Sequence, residues 1–440
     1  VTSFTILKLL FKARCEHWRK HDSEAAMAYR SLLKPHSYRL QSGDHGNPLI
    51  GLRYIRLAHR LLFKQGLKIK TIQNNTVLCF DGSEKAIESR QKYLKGLNIP
   101  QPGHWLGRDA LGGRGFGFNQ ARSFLLTFLL FLLYLPHLIF FKNKASYALM
   151  LLEFAEWCVL MKAIHVQGIE KMYFFCSFEI DGNFISLLAK RHEIRTIRIP
   201  SSTPLSNFYK EVSGDTFAFT APFQIEEYEL FKKQWHVNKT INLPCFNYPE
   251  LLKLKQAQKD PLKSEKSLSL GILTRGIWRR IERGDSPNDL GEYRSEEELL
   301  EAVRLTIAQF PAMKVTILMH PCEKDTEDRY KQAQTHYRKL LQSENLIFPE
   351  REEKSLSLFY DMNIAISTHS SSNIERLFLG LKTFYFPSQI SAPLYKQTQL
   401  KNISLRSPDE LVENLETAFS QTNKEFFEEK GMESYVNFGL

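Results

Sequence analysis

"AISTHSSSNIERLFLGLKTFYFP", Ala365 to Pro387, decides the fold. Asn363 to Ile366 is short, apolar and β-branched, which predicts the end of a buried strand. Thr368 to Ser372 are turn and N-cap residues, so one of the serines is expected to cap a helix. Ile374, Leu377 and Phe378 repeat at helical spacing, and Gly380 stands where a helix C-cap belongs. "KTFYFP" is then the next strand. Strand, turn, helix and strand make the βαβ element of a parallel sheet. The helix N-terminus lies at the carboxyl end of the first strand, where α/β folds bind ligands. Free N–H groups and hydroxyls there suit a phosphate. A capped helix with no ligand is the alternative that this stretch leaves open.

The same rhythm runs outward from it. "SLSLGILTRGIWRR" reads as a strand entering a glycine-containing turn, "RSEEELLEAVRLTIAQF" as a capped helix, and "KVTILMHP" as a strand. A helix to residue 340 and a short strand, "LIFPE", follow. At least four strands alternate with helices, which predicts a doubly wound parallel sheet. Upstream, from Ala145, "KMYFFCSF", "IRTIRIPSS" and "DTFAFTA" read as strands, and "IDGNFISLLAKRH" and "PFQIEEYELFKKQW" as helical segments. The polar tract "KLKQAQKDPLKSEKS" at 253–267 is the best linker candidate. The glycine-rich "QPGHWLGRDALGGRGFGFNQ" at 101–120 reads as a loop, because its Gly113, Gly115 and Gly117 do not make the GxGxxG spacing. The expected organisation is a basic helical segment over 1–48, a Rossmann-like domain over 49–255, and a second over 266–422. A C-terminal helix over 423–440 is expected to pack back on the first domain.

Bulk properties narrow the partners. The chain has 440 residues, 43% hydrophobic and 24% charged, the balance of a globular protein with sizeable cores. The net charge is +11, and residues 1–70 carry 14 Lys/Arg against 4 Asp/Glu, so nearly all the excess sits there. A basic end favours an anionic membrane surface or nucleic acid; a solvated basic face is the plain alternative. Few aromatics interleave with the charges and no DNA or RNA motif is present, which argues against nucleic acid. Cys15, Cys79, Cys158, Cys176, Cys245 and Cys322 form no CxxC and no zinc spacing, which fits a reducing compartment. "FTILKLLF" lacks the basic n-region and cleavage site of a secretory signal. Between Arg122 and Lys142, "SFLLTFLLFLLYLPHLIFF" (123–141) runs without a charge and is nearly long enough to span a bilayer. Pro136 and His137 weaken a spanning helix. A helix dipping into one leaflet is the first reading, a buried core or oligomer contact the second, a true span the third.

Three pieces that can do chemistry stand at carboxyl ends of expected strands. Arg275 and Gly276 follow "LGILT", His320 and Pro321 follow "VTILM", and Ser370, Ser371 and Ser372 follow "NIAIS". Together they suit a phosphate or diphosphate: Arg and His donate charge-assisted hydrogen bonds and the helix start adds N–H groups. Glu375, one helical turn further in, could accept both hydroxyls of a ribose. Taken singly, each has a plain reading, a solvated helix carboxylate or a strand-end histidine bonded to backbone.

With these residues in view, the half from 266 to 420 resembles the donor-binding domain of glycosyltransferases of the GT-B architecture, which have two facing Rossmann-like domains. "STHSSSNIERLFLGLKTFYF" is similar to that family's segment in which a Glu holds the nucleotide ribose and hydroxyls hold phosphate. "MHP" resembles the His-Pro motif of bacterial sialyltransferases and related capsule-polysaccharide transferases, whose second motif, Ser-Ser/Thr, matches Ser370 to Ser372. Those enzymes also carry an acidic-acidic-Gly motif that supplies the general base. Here "FEIDGN" offers Glu179, Asp181 and Gly182, with Ile180 splitting the acidic pair. The resemblance implies that an acceptor hydroxyl attacking the anomeric carbon loses its proton to Asp181, or secondly to Glu179. The leaving phosphate would be stabilised by Arg275, His320 and the Ser370–Ser372 helix start. No metal and no cofactor beyond a nucleotide-sugar donor is then required. The expected acceptor is a glycan or a lipid-linked molecule, and the expected place is the cytoplasm, at the inner face of the membrane. Transfer of an alcohol phosphate from a CDP donor, and a catalytically silent binding protein or scaffold of the same fold, are the alternatives.

Overall fold

The computed structural model of the chain describes residues 12, 15–16, 23–24, 76–79, 84–99, 104–106, 165, 168–175, 180–200, 212–257, 268–282, 287–386 and 396–438. Among these, 220–230 and 242–438 form one compact unit and the remainder another. The apolar run at 123–141 and most of the basic segment at 1–48 lie outside the described residues. No described helix is long and apolar enough to cross a membrane.

The first unit is built on a six-stranded sheet. Its strands are β1 (Thr76–Cys79), β2 (His104–Leu106), β3 (Lys171–Phe174), β4 (Arg195–Arg198), β5 (Val212–Phe219) and β6 (Trp235–Asn242), in the order β2-β1-β3-β4-β5-β6. β1 pairs in parallel with β2 and β3, β3 with β4, and β4 with β5. Met172, Tyr173 and Phe174 are buried in succession, as a central parallel strand covered on both faces requires. α1 (Glu84–Gly96) follows β1, and α2 (Ile180–Arg191) packs on β4 and β5. The stretch expected as a loop at 101–120 contains β2: His104, Trp105 and Leu106 pair with Val77 to Cys79. Pairing to a neighbouring strand outweighed the glycines around it.

The second unit has a five-stranded sheet, all of it parallel. β7 (Ser269–Leu273), β8 (Lys314–Leu318), β9 (Leu346–Ile347), β10 (Ile364–Ser367) and β11 (Thr383–Tyr385) lie in the order β11-β10-β7-β8-β9. Chain order runs outward from β7 to β8 and β9, then returns to the other side of β7 for β10 and β11. This is the doubly wound arrangement, and its switch point lies between β7 and β10. Every residue of β7 and β10 is buried. The helices are α3 (Pro222–Phe231), α4 (Tyr248–Ala257), α5 (Ile277–Glu282), α6 (Pro287–Gln309), α7 (Glu327–Leu341), α8 (Ser371–Phe378), α9 (Pro408–Ser420) and α10 (Asn423–Lys430). The fold class expected from sequence, α/β with Rossmann-like parallel sheets, is what both units display.

The boundaries differ from those expected. Ala221, Phe223, Cys245 and Leu251 belong to the core of the second unit, so that core recruits residues from before the polar tract at 253–267. The C-terminal segment, 423–438, also belongs to that core. Phe426, Phe427, Met432 and Tyr435 are buried in the second core, and Phe426 meets the ring of Phe384 on β11 edge-on. Four large apolar side chains gain more by joining a ready core than by covering a solvated surface.

Candidate functional site

α8 is held from several sides. Ser370 is its N-cap and accepts the N–H of Ser372 at 3.2 Å. Asn373 donates to Ser367 Oγ and to the Phe384 carbonyl, both at 2.9 Å. The Tyr385 hydroxyl donates to the Ser370 carbonyl at 3.1 Å. Arg376, fully buried, donates to the carbonyls of Phe359, Met362 and Lys382 and lies over the Phe359 ring. Burial lowers its pKa to about 9, so it stays cationic at neutral pH. Gly380, at φ 72°, takes the left-handed position after the helix, where only glycine is unstrained. The start of α8 is therefore preorganised, with Ser370 spent on the cap and Ser371 and Ser372 half-buried in the first turn.

The other two elements meet each other. Arg275 and Gly276 follow β7; His320 and Pro321 follow β8, with Pro321 opening a 3-10 turn over Pro321–Glu323. Gly276 has φ 63°, and a Cβ on it would come within 2.7 Å of both Cys322 Sγ and Glu323 Cγ. The two turns thus touch at a position that only glycine can occupy. The Cys322 N–H approaches His320 Nδ1 at 3.3 Å, so Nδ1 accepts and Nε2 carries the proton of the neutral ring. His320 as a residue is exposed, yet its ring is crowded by the turn. That crowding, then the charges of Arg275 and Arg280, push its pKa down.

One residue of the group was not legible in sequence. His369 precedes the cap, and its Nδ1 is buried without a partner; so is Oγ1 of Thr368, a residue only 1% exposed. Burial, then the Arg275 charge, lowers the His369 pKa to about 3. The Arg275 charge, after β7, therefore acts on both rings, His320 after β8 and His369 after β10. Unmet buried polar atoms at a helix start, beside an arginine and two neutral imidazoles, fit an anionic oxygen cluster. The signal that could have found His369 is its place between the strand and the cap, on the same turn as the serines.

Glu375 lies one turn further along α8. It is 6% exposed, and its Oε1 accepts a hydrogen bond from Asn247 Nδ2 at 2.6 Å. Burial raises its pKa to about 7; the Asn247 bond opposes the rise and the Glu250 charge adds to it. The carboxylate expected to stand open to a ribose thus already has a protein partner just before α4. In the first unit, Asp181 lies in the first turn of α2, beyond the carboxyl end of β3. β3 adjoins β1, and that sheet reverses its order between those two strands. Glu179 lies outside the described residues. Among the described residues, no three His, Cys, Asp or Glu stand close enough to hold a metal ion.

No protein-family model and no curated protein matches the chain. Among solved structures it is similar to the UDP-GlcNAc 2-epimerase of Neisseria meningitidis bound to UDP-GlcNAc, at 12% identity and a TM-score of 0.45 over 83% of this chain and 96% of that one. It is similar to MnaA of S. aureus in its co-structure with UDP, at 11% and 0.44, over 83% and 92%. MurG of Acinetobacter baumannii gives 10% and 0.44, over 82% and 94%. The fold of this chain rests on the strand orders described above.

Proposed function

We propose that the chain is a nucleotide-sugar-dependent glycosyltransferase whose second unit binds the donor. The observation that carries this reading is the pair of unpartnered buried atoms, Thr368 Oγ1 and His369 Nδ1, just before the capped start of α8, where the sheet reverses its order and the Arg275 charge acts on His320 and His369. That is where open α/β sheets take nucleotides. In this reading Arg275, the Nε2 of His320, the N–H of Ser371 and the hydroxyls of Ser371 and Ser372 hold the donor phosphate, the Ser372 N–H being taken by the Ser370 cap. Glu375 takes the ribose through the oxygen that Asn247 leaves. The acceptor hydroxyl gives its proton to Asp181, with Glu179 as second candidate, as its oxygen bonds the anomeric carbon. The bond from that carbon to the phosphate oxygen breaks, and cationic and N–H groups of the chain take up the charge left on phosphate. A glycan or lipid-linked acceptor at the inner membrane face belongs to the same proposal, on the basic residues of 1–70 and the apolar run at 123–141.

The test is thermal stability of the full chain against CMP, CDP, UDP, GDP and TDP, with a His320→Ala, Ser371→Ala double variant alongside. Stabilisation by one nucleotide that the variant loses is the expected result and names the donor class. No stabilisation by any of the five would count against the transferase and bring the silent scaffold forward.

A further inference from the structure

Two buried carboxylates lie close to the phosphate site, and neither is placed to touch a ligand. Glu296, on α6, is 5% exposed, and Glu323, at the end of the 3-10 turn, is fully buried. Burial, then the nearness of Glu323, raises the Glu296 pKa to about 7. Two like charges in a core are costly, and apolar side chains would fill the space more cheaply. The bonds they accept supply the reason. Glu296 accepts the N–H of Arg275 at 2.8 Å and of Ile277 at 3.4 Å. Glu323 accepts the Thr274 hydroxyl at 2.5 Å and the His320 N–H at 2.9 Å on Oε2. On Oε1 it accepts Trp278 Nε1–H at 2.6 Å and the Tyr337 hydroxyl at 2.7 Å. Except for Tyr337, these donors belong to α5 or to the turns that carry Arg275 and His320.

We propose that Glu296 and Glu323 are positioning residues of the phosphate site, which fix the backbone of the turns that present Arg275 and His320 to an anion. The proposal rests on the reading that this crevice takes phosphate. The two N–H groups that Glu296 engages are spent, so a ligand is held by side chains and by the start of α8.

The experiment measures the affinity of the full chain for inorganic pyrophosphate, with the unfolding midpoint of each variant recorded beside it. Glu296→Ala is expected to weaken binding about tenfold, the worth of one charge-assisted hydrogen bond. Glu296→Gln keeps an acceptor for the Arg275 N–H at 2.8 Å and sets its NH2 only against the long 3.4 Å contact of the Ile277 N–H, so it is expected to bind within about threefold of the parent chain. Glu323→Gln cannot be rescued in that way. Either orientation of its amide sets an NH2 against the His320 N–H or the Trp278 Nε1–H, so about tenfold is lost despite the matched shape. A Glu296→Ala or Glu323→Gln chain that melts lower yet binds pyrophosphate as the parent does would reduce that carboxylate to a structural role and overturn the proposal. His320→Ala separates the two levels. If it too leaves binding unchanged, or the parent binds nothing, the phosphate reading itself fails and the proposal falls with it.

Discussion

At the scale of a residue, the buried carboxylates set the pH response. Glu375 titrates near 7 in the folded chain and near 4.5 as an ordinary carboxyl. The unfolded chain releases the proton first as pH rises, so the stability tied to it is whole below about 4.5. It is lost as pH climbs through 7. At full extent the difference is worth about 3 kcal/mol. Glu296 acts in the same direction. Urea midpoints of the second unit are therefore expected to fall between pH 5 and 8, and Glu375→Gln to flatten part of the slope. Identical slopes in parent and variant would show that Glu375 does not titrate there. None of this is written in the local sequence. Glu296 stands in "RSEEELLEAV", a run that reads as the start of a capped helix, and only the packing of α6 against α5 brings that carboxylate to the Arg275 N–H.

At the scale of an element, local grammar and tertiary context divide the work. The strand before the serines, the cap, the helical spacing of Ile374, Leu377 and Phe378, and Gly380 were legible because each is a short-range rule. All appear in β10, α8 and β11. β2 was hidden because its three residues are a strand only by pairing with β1. Which serine caps was also open in sequence, and the bond from Ser372 to Ser370 answers it. The contact between the turns after β7 and β8 carries an element-scale prediction. Gly276→Ala combines a left-handed φ with a Cβ driven into Cys322 and Glu323, and is expected to cost about 2–4 kcal/mol in chemical denaturation. Adding Cys322→Ala should return part of that loss. If Gly276→Ala is as stable as the parent, the two turns do not abut as described.

At the scale of the molecule, two cores around two sheets imply two cooperative units. Calorimetry of the full chain is expected to show more than one transition, and a nucleotide that binds near β7 and β10 to raise the second unit's alone. A single transition that moves as a whole would mean that the units melt together. The second core also joins residues far apart along the chain: Phe223 on α3 and Phe426, Phe427 and Tyr435 beyond α9 are all part of it. This has a consequence for the order of events during synthesis. As the chain leaves the ribosome, β7 to β11 can pair before the aromatic residues of 426–435 have emerged, but the core they enclose stays open on that side. Apolar surface of the growing chain is exposed until then, which makes this interval the one in which a chaperone has most to cover.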